Sequence, residues 1–278
     1  MSGMTIIDYI NSATKTTKQS FSIGQSVLGR DIIAMVKGSN PSVKVLIHGA
    51  IHAREFITSR LICQLAEEYK GEAEIWFVPL VNPDGVSLIL NGLSTIPKWR
   101  HDFLMRCNGN NEDFRIWKAN INGVDLNDNF DAMWGTGEFN VRQPNYDNYI
   151  GPYPFSEPET RALRKITREN DFLLTISYHT KGREIYWGFD DNYDYYEEAM
   201  EFSKQTGYPL LKSANSAGGY KDWFTKNYGR LGLTIEVGND ELPHPLNDDA
   251  YDEIYNENKG IAELASKVAI EMFNKIVK

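Results

Sequence analysis

The chain has 278 residues, 41% hydrophobic and 24% charged, with a formal net charge of −9. This is the composition of a folded globular protein and not of a disordered one, and its acidity argues against a nucleic-acid partner, which calls for a basic face. No apolar run approaches the ~20 residues that span a bilayer, so no membrane partner is expected.

The first twenty residues, MSGMTIIDYINSATKTTKQS, lack the basic-then-apolar pattern of a secretory signal. Cys63 and Cys107 make no disulfide framework, so the expected compartment is the cytoplasm. Val43–Ile47 is short, apolar and β-branched and predicts a buried strand. Glu55 to Lys70 sets Ile57, Leu61, Leu65 and Tyr69 four apart, the spacing of an amphipathic helix with Cys63 on its apolar side. Glu74–Val81 predicts a second strand, closed by the turn Asn82-Pro83-Asp84-Gly85. Ser156-Glu157-Pro158-Glu159 offers a hydroxyl cap, a first-turn proline and acids at the positive helix end, so a helix should start there and run to about Asn170. Leu173–Tyr178 and Leu231–Val237 predict two more core strands, and Asp249–Lys278 a long amphipathic helix over one sheet face.

With no internal repeat or linker, residues 1–278 are expected to form a single domain. Strands alternating with helices predict an α/β fold, a mixed and largely parallel central sheet with helices on both faces. Sites in such sheets gather beyond the carboxyl ends of the strands.

Chemistry-bearing residues collect at those ends. His52-Ala53-Arg54-Glu55 is an H-x-x-E unit directly after the first strong strand, and His179 follows the strand ending at Tyr178. Zinc accepts imidazole nitrogen and carboxylate oxygen, and catalytic zinc sites use three protein ligands with a position left for water. Taken alone, the motif is weak, since His and Glu three apart recur by chance, and it reads also as a polar loop before a helix with Glu55 favouring the dipole. Glu236 lies inside the apolar strand Leu233-Thr234-Ile235-Glu236-Val237, a costly place for a carboxylate unless it is paired or functional. Together the four suggest one site.

Five segments in this order resemble the zinc carboxypeptidases of the carboxypeptidase A family: His52-Ala53-Arg54-Glu55, Gly123-Val124-Asp125-Leu126-Asn127, Pro154-Phe155-Ser156-Glu157-Pro158-Glu159-Thr160, Ser177-Tyr178-His179 and Thr234-Ile235-Glu236. The similarity runs from about Ile23 to Asp240, and Gly218–Trp223 and Gly182–Trp187 look more like the bacterial γ-D-glutamyl-diaminopimelate peptidases than the digestive enzymes. The resemblance implies one zinc ion held by His52, Glu55 and His179, with Glu236 exchanging protons with water and leaving amine. It implies that Asp125 fixes the His52 ring and that Arg54 faces the substrate carbonyl or carboxylate.

Three positions depart from the digestive pattern. Lys118 stands where an arginine helps polarise the scissile carbonyl; a lysine still supplies a point charge, and Arg115 is the alternative. Asn127-Asp128 replaces the Asn-Arg pair that grips a terminal carboxylate, which puts strict carboxypeptidase action in question. Ala214 occupies the place of the aromatic hydroxyl, for which Tyr220 is a substitute. Lys221 matches the position that selects the substrate side chain, so an acidic or diaminopimelate-like residue is expected there, with Asp128 as complementary contact. The expected partner is a small peptide, sharpened to a cell-wall stem peptide, with oligomeric state left open. Two alternatives stay open: an N-acyl amino acid deacylase, and a zinc-binding, non-catalytic peptide-binding protein.

Overall fold

The structure is a computed structural model that describes residues 5–17, 19–192, 194–213 and 216–277. It opens with helix α1 (Ile6–Thr16), whose N-terminus is closed by a reciprocal Thr5–Asp8 capping box. Strands β1 (Gln19–Gln25), β2 (Asp31–Lys37) and β3 (Asn40–His48) follow, and then α2 (Ile57–Glu68) and β4 (Ala73–Val78). Helices α3 (Pro83–Asn91), α4 (His101–Cys107) and α5 (Pro158–Glu169) lead to β5 (Phe172–Thr180) and β6 (Glu184–Trp187). The chain continues through α6 (Tyr196–Thr206), β7 (Leu210–Lys212), α7 (Tyr220–Tyr228), β8 (Leu231–Val237), α8 (Tyr251–Asn258) and α9 (Ile261–Ile276).

The strands build one eight-stranded sheet in the order β1-β2-β4-β3-β5-β8-β6-β7. Its centre is parallel, β4/β3, β3/β5 and β5/β8, while β1/β2, β2/β4 and β8/β6 are antiparallel. Every residue of β5 is buried, as expected of a central parallel strand covered on both faces. One core joins Val45, Ile47 and Leu174 to Leu61, Phe202, Ile254 and Val268 of α2, α6, α8 and α9. The other joins Leu46 and Phe172 to Leu163 of α5 and to Tyr220 and Phe224 of α7. The α/β fold expected from the alternation of elements is therefore the one observed.

Three boundaries differ from expectation. Asn82-Pro83-Asp84-Gly85 is the first turn of α3, not a free turn: the Asn82 side chain accepts from the Gly85 N–H, and burial of Val86 and Leu88 carries the helix on. The residue capping α5 is Glu157, with Ser156 Oγ donating to its carboxylate at 2.8 Å. The C-terminal helix is broken into α8 and α9 at Lys259-Gly260, where Gly260 takes φ +84°. Among the described residues no helix is long and apolar enough to cross a membrane.

Candidate functional site

The adjacent parallel strands β3, β5 and β8 bring three carboxyl ends together. His179 is the penultimate residue of β5 and pairs in register with Glu236 of β8, so their side chains leave the same face of the sheet. His52 lies four residues beyond β3 and begins a short 3-10 turn, Ala53–Glu55, that points Glu55 inward. The loop is tied at several points. Ala53 N–H donates to Lys118 O (3.0 Å), Asn82 Nδ2 to Ile51 O and Ala119 O (3.3 and 3.0 Å), and Ala50 N–H to Thr58 Oγ1 (2.9 Å). Ala50 takes φ +47°, backbone strain held in the segment that delivers His52.

The three side chains meet at one focus. His52 Nδ1 is 2.9 Å from Glu55 Oε1, His179 Nδ1 is 3.0 Å from Glu55 Oε2, and the two Nδ1 atoms are 3.1 Å apart. All three residues are buried. Two imidazole nitrogens and a carboxylate, all zinc-ligand types, are thus crowded onto one point. They fit a cation well, because a tetrahedral zinc shell with ligands at ≈ 2.0–2.1 Å has edges of about 3.3 Å. Electrostatics agrees. Burial would depress the His52 imidazole, yet the Glu55 carboxylate, with Asp125 behind it, outweighs burial and raises it. Burial would lift Glu55, but the two histidines hold it well below the ordinary carboxylate range. The focus thus favours positive charge.

Asp125 sits on the far side of His52, fully buried, with Oδ1 3.1 Å from His52 Nε2 and Oδ2 2.7 Å from Lys118 Nζ. It also accepts from the Asn127 and Asn148 N–H groups at 3.1 and 3.2 Å. A carboxylate there favours the proton of His52 on Nε2, which leaves the Nδ1 lone pair turned toward the focus. Burial opposes the charges of both Lys118 and Asp125, and each is kept ionised by the other. Lys118 Nζ is thus held, charged, beside the Asp125 carboxylate that faces His52. Arg115, by contrast, is exposed and paired with Asp113.

Glu236 carries a carboxyl that burial, aided by the Glu55 charge, lifts to about 8. No described residue hydrogen-bonds its Oε2, an unusual state for a buried oxygen. It borders a cavity of about 320 Å³ that Asn127, Ser213, Ser216, Lys221 and Asp222 also line. Gly218, on the approach to α7, takes φ +85°: a Cβ there would lie 2.5 Å from the Asp128 carbonyl oxygen, so only glycine lets the chain entering α7 pass so near Asp128.

Two expectations need correction. Tyr220 is no substrate residue, because its side chain is fully buried, stacked edge-on to His48 and Phe130 and bonded to Thr167 Oγ1 at 2.9 Å. It opens α7 facing the sheet; the next residue, about 100° further round the helix, is the one that meets the cavity. Asp128 is not the companion of Lys221 either. It is half-buried beside Asp125 and Lys118, where burial and the Asp125 charge raise its carboxyl to about 8. Lys221 is held instead by Asp222, Ser213 Oγ and, at 2.7 Å, the Gly188 carbonyl. Arg54 is half-buried, near Asp147 and His244. Ala214 lies outside the described residues.

Sequence reasoning passed over Asp222 and His244. Asp222 stood in a segment singled out for its neighbours; its signal was a second charge adjacent to Lys221 at the start of a helix. His244, in the loop after β8, is pushed down to about 4 by burial and by Arg54. Only the tertiary fold reveals that it sits near His52.

A family model described as zinc carboxypeptidase matches residues 4–259. The γ-D-glutamyl-L-diamino acid endopeptidase 1 of Lysinibacillus sphaericus is 36% identical over 264 residues, 87% of this chain and 66% of the relative. The protein YqgT of Bacillus subtilis is 35% identical over 263 residues, 86% of this chain and 69% of the relative. The chain thus spans only part of the length of these relatives. Among solved structures, thrombin activatable fibrinolysis inhibitor superposes with a TM-score of 0.75 at 20% identity, covering 96% of this chain and 77% of that one. The murein-tripeptide amidase MpaA of Escherichia coli O157 gives 0.60 at 20% identity, covering 91% and 92%. At such identities these structures speak for the fold.

Proposed function

This chain belongs to the zinc carboxypeptidase family, and from that premise we propose that it is a zinc metallopeptidase. It cleaves the amide bond of a small peptide bearing an acidic or diaminopimelate-like residue after the scissile bond, as in a cell-wall stem peptide. Residues 1–278 act as one catalytic domain. The observation that carries the reading is the convergence of His52 Nδ1, His179 Nδ1 and the Glu55 carboxylate within 3.1 Å of one another beside Glu236. A relative whose name specifies γ-D-glutamyl-L-diamino acid bonds supports the substrate class.

His52, Glu55 and His179 would hold a single zinc ion, which when bound acidifies water and polarises a carbonyl. The remaining work falls to the chain's own side chains. Glu236 accepts the proton of the attacking water and passes it to the leaving amine. A carboxyl lifted toward neutrality suits both halves of that transfer. Asp125 keeps the proton of His52 on Nε2, so that Nδ1 stays a lone-pair donor. Lys118, kept cationic by Asp125, places positive charge near the developing oxyanion. Arg54 and Asn127 contact the substrate, and Asp128 stands where a grip on a free terminal carboxylate would need a cation. Endopeptidase-like tolerance of an extended C-terminal side follows.

Product analysis on stem peptides of defined structure tests the reading. Release of the diamino acid side from L-Ala-γ-D-Glu-diaminopimelate, and poor cleavage of ordinary peptides ending in Leu or Glu, is expected. Equal cleavage of all of them, or none, would reject it.

A further inference from the structure

A second cavity, of about 550 Å³, opens between α1, the start of α2 and α3, and shares no residue with the one beside Glu236. Ile6, Ile57, Leu80 and Val86, all buried, form its walls, with Phe56 and Leu90 beside them. A neighbouring cavity of about 380 Å³ shares Ile7, Arg30, Leu80 and Pro83 with it and continues to Ile10 and Ile33. Residues from Thr5 to Tyr9 border the first and from Ile7 to Asn11 the second, so the joint space is elongated along α1. Two arginines border the larger cavity, and they are used differently. Arg30 is spent on Asp84, Ser87 Oγ and the Thr95 carbonyl. Arg60 is not. Its guanidinium lies 3.5 Å from the centroid of the Tyr251 ring and 5.0 Å from that of Tyr9. Its one hydrogen bond to a described residue is a long one, 3.4 Å, to Asp248, whose side chain is 83% exposed. Stacking occupies the faces of a guanidinium and leaves the N–H edge free, and a pair with so exposed a carboxylate contributes little.

We infer that this space is a second binding site, for a single-chain carboxylate of medium length, with its head on Arg60 and its tail running along α1 toward Ile10 and Ile33. A wholly apolar ligand would turn hydrocarbon toward the free edge of Arg60, and a small anion would leave the apolar walls in water. An amphipathic anion matches both. Its carboxylate takes the in-plane N–H groups of Arg60 in a charge-assisted pair, in place of the long contact to Asp248, which is free to turn into solvent. A cationic head would meet Arg60 and be repelled. The volume of about 550 Å³ lies within the ~300–1,000 Å³ of small-molecule sites. Three helices enclose it, which suits a narrow chain and not a folded partner. The site lies apart from the peptidase cavity and does not depend on the chemistry proposed there.

The test is isothermal titration calorimetry of the zinc-loaded protein with decanoate, 1-decanol, decylammonium and propanoate, all below micelle-forming concentration. Decanoate should bind one per chain, at least about tenfold more tightly than decanol or decylammonium, and propanoate should not bind measurably. Arg60→Gln should bring decanoate down to the affinity of decanol. Ile7 is 56% exposed in the first turn of α1, where an acid suits the helix dipole, so Ile7→Asp should fold while placing a charge on the wall common to both cavities. It should weaken decanoate and decanol alike by about tenfold or more. Affinities of the three ten-carbon probes within about threefold of one another would overturn the inference, as would no binding of any. So would decanoate binding unchanged in either variant, because the chain would then be held elsewhere, at the metal focus for instance. If Arg60→Gln does not fold, Ile7→Asp and the ranking of the probes decide. None of these outcomes bears on the peptidase reading.

Discussion

Asp125→Asn probes the arrangement behind the metal focus. Asparagine keeps the size of the side chain and one acceptor oxygen but removes the charge that faces His52 Nε2 at 3.1 Å and Lys118 Nζ at 2.7 Å. The Lys118 side chain is 17% exposed, so its ammonium is left with little water. Removing one member of a buried ion pair costs about 3–5 kcal/mol. Asp128 offsets part of this: its carboxyl is raised to about 8 by burial and by the Asp125 charge, and with Asp125 neutral it ionises more readily beside Lys118. The expected loss is therefore about 2–4 kcal/mol. Zinc affinity should fall about 10- to 100-fold as His52 loses the acceptor that fixes its tautomer. Adding Lys118→Met removes the stranded charge, so the double variant should be more stable than Asp125→Asn alone. Denaturant midpoints in metal-free and zinc-loaded protein, with a chelator competition for zinc, measure both effects. Stability within about 0.5 kcal/mol of the parent, with unchanged zinc affinity, would refute the reasoning.

The pH dependence of kcat/KM follows from Glu236. As a base it works deprotonated, so activity should rise with pH through an acidic limb. Burial lifts this carboxyl from 4.5 to about 8, and a bound cation draws it back down. The midpoint should thus lie between those values, and a profile flat across that range would count against Glu236 as base. Glu159 is fully buried and its pKa is raised from 4.5 to about 8, chiefly by burial. The folded state then holds a proton that the unfolded state has lost, so stability falls as pH rises from about 4.5 to about 8 and levels off above. Glu159→Gln should flatten that slope in denaturant midpoints taken at pH 5 and pH 8; an unchanged slope would contradict it. Tyr220→Phe removes a buried bond to Thr167 and should lower stability by about 1 kcal/mol. Its KM should not change, and a raised KM would restore Tyr220 to the substrate site.

The metal focus was legible in the sequence because each of its residues follows or ends a strong strand signal. His52, His179 and Glu236 sit at the carboxyl ends of β3, β5 and β8, and the order of parallel strands puts those ends together. The edge strands were not legible. Gln19–Gln25 alternates polar and apolar residues only weakly, and Leu210–Lys212 is three residues long, so neither carries a periodic signal. The specificity side was legible only in part, because helix phase decides it. With α7 unforeseen, nothing in the order Tyr220-Lys221-Asp222 told which of the three faces the core and which the cavity. One residue along a helix turns the side chain by about 100°, enough to bury Tyr220 and to pair Lys221 with its neighbour and not with Asp128.

The most direct measurement is the zinc content of the purified protein and of Glu236→Gln, taken with amide cleavage by each. One zinc per chain in both, turnover lost by about 10²–10⁴-fold in the variant, and loss of metal in His179→Ala is the predicted result. Absence of stoichiometric zinc, or a Glu236→Gln protein that cleaves as well as its parent, would contradict the account. Bound zinc with no turnover of any peptide or acyl amino acid would contradict it too, and would favour a peptide-binding role.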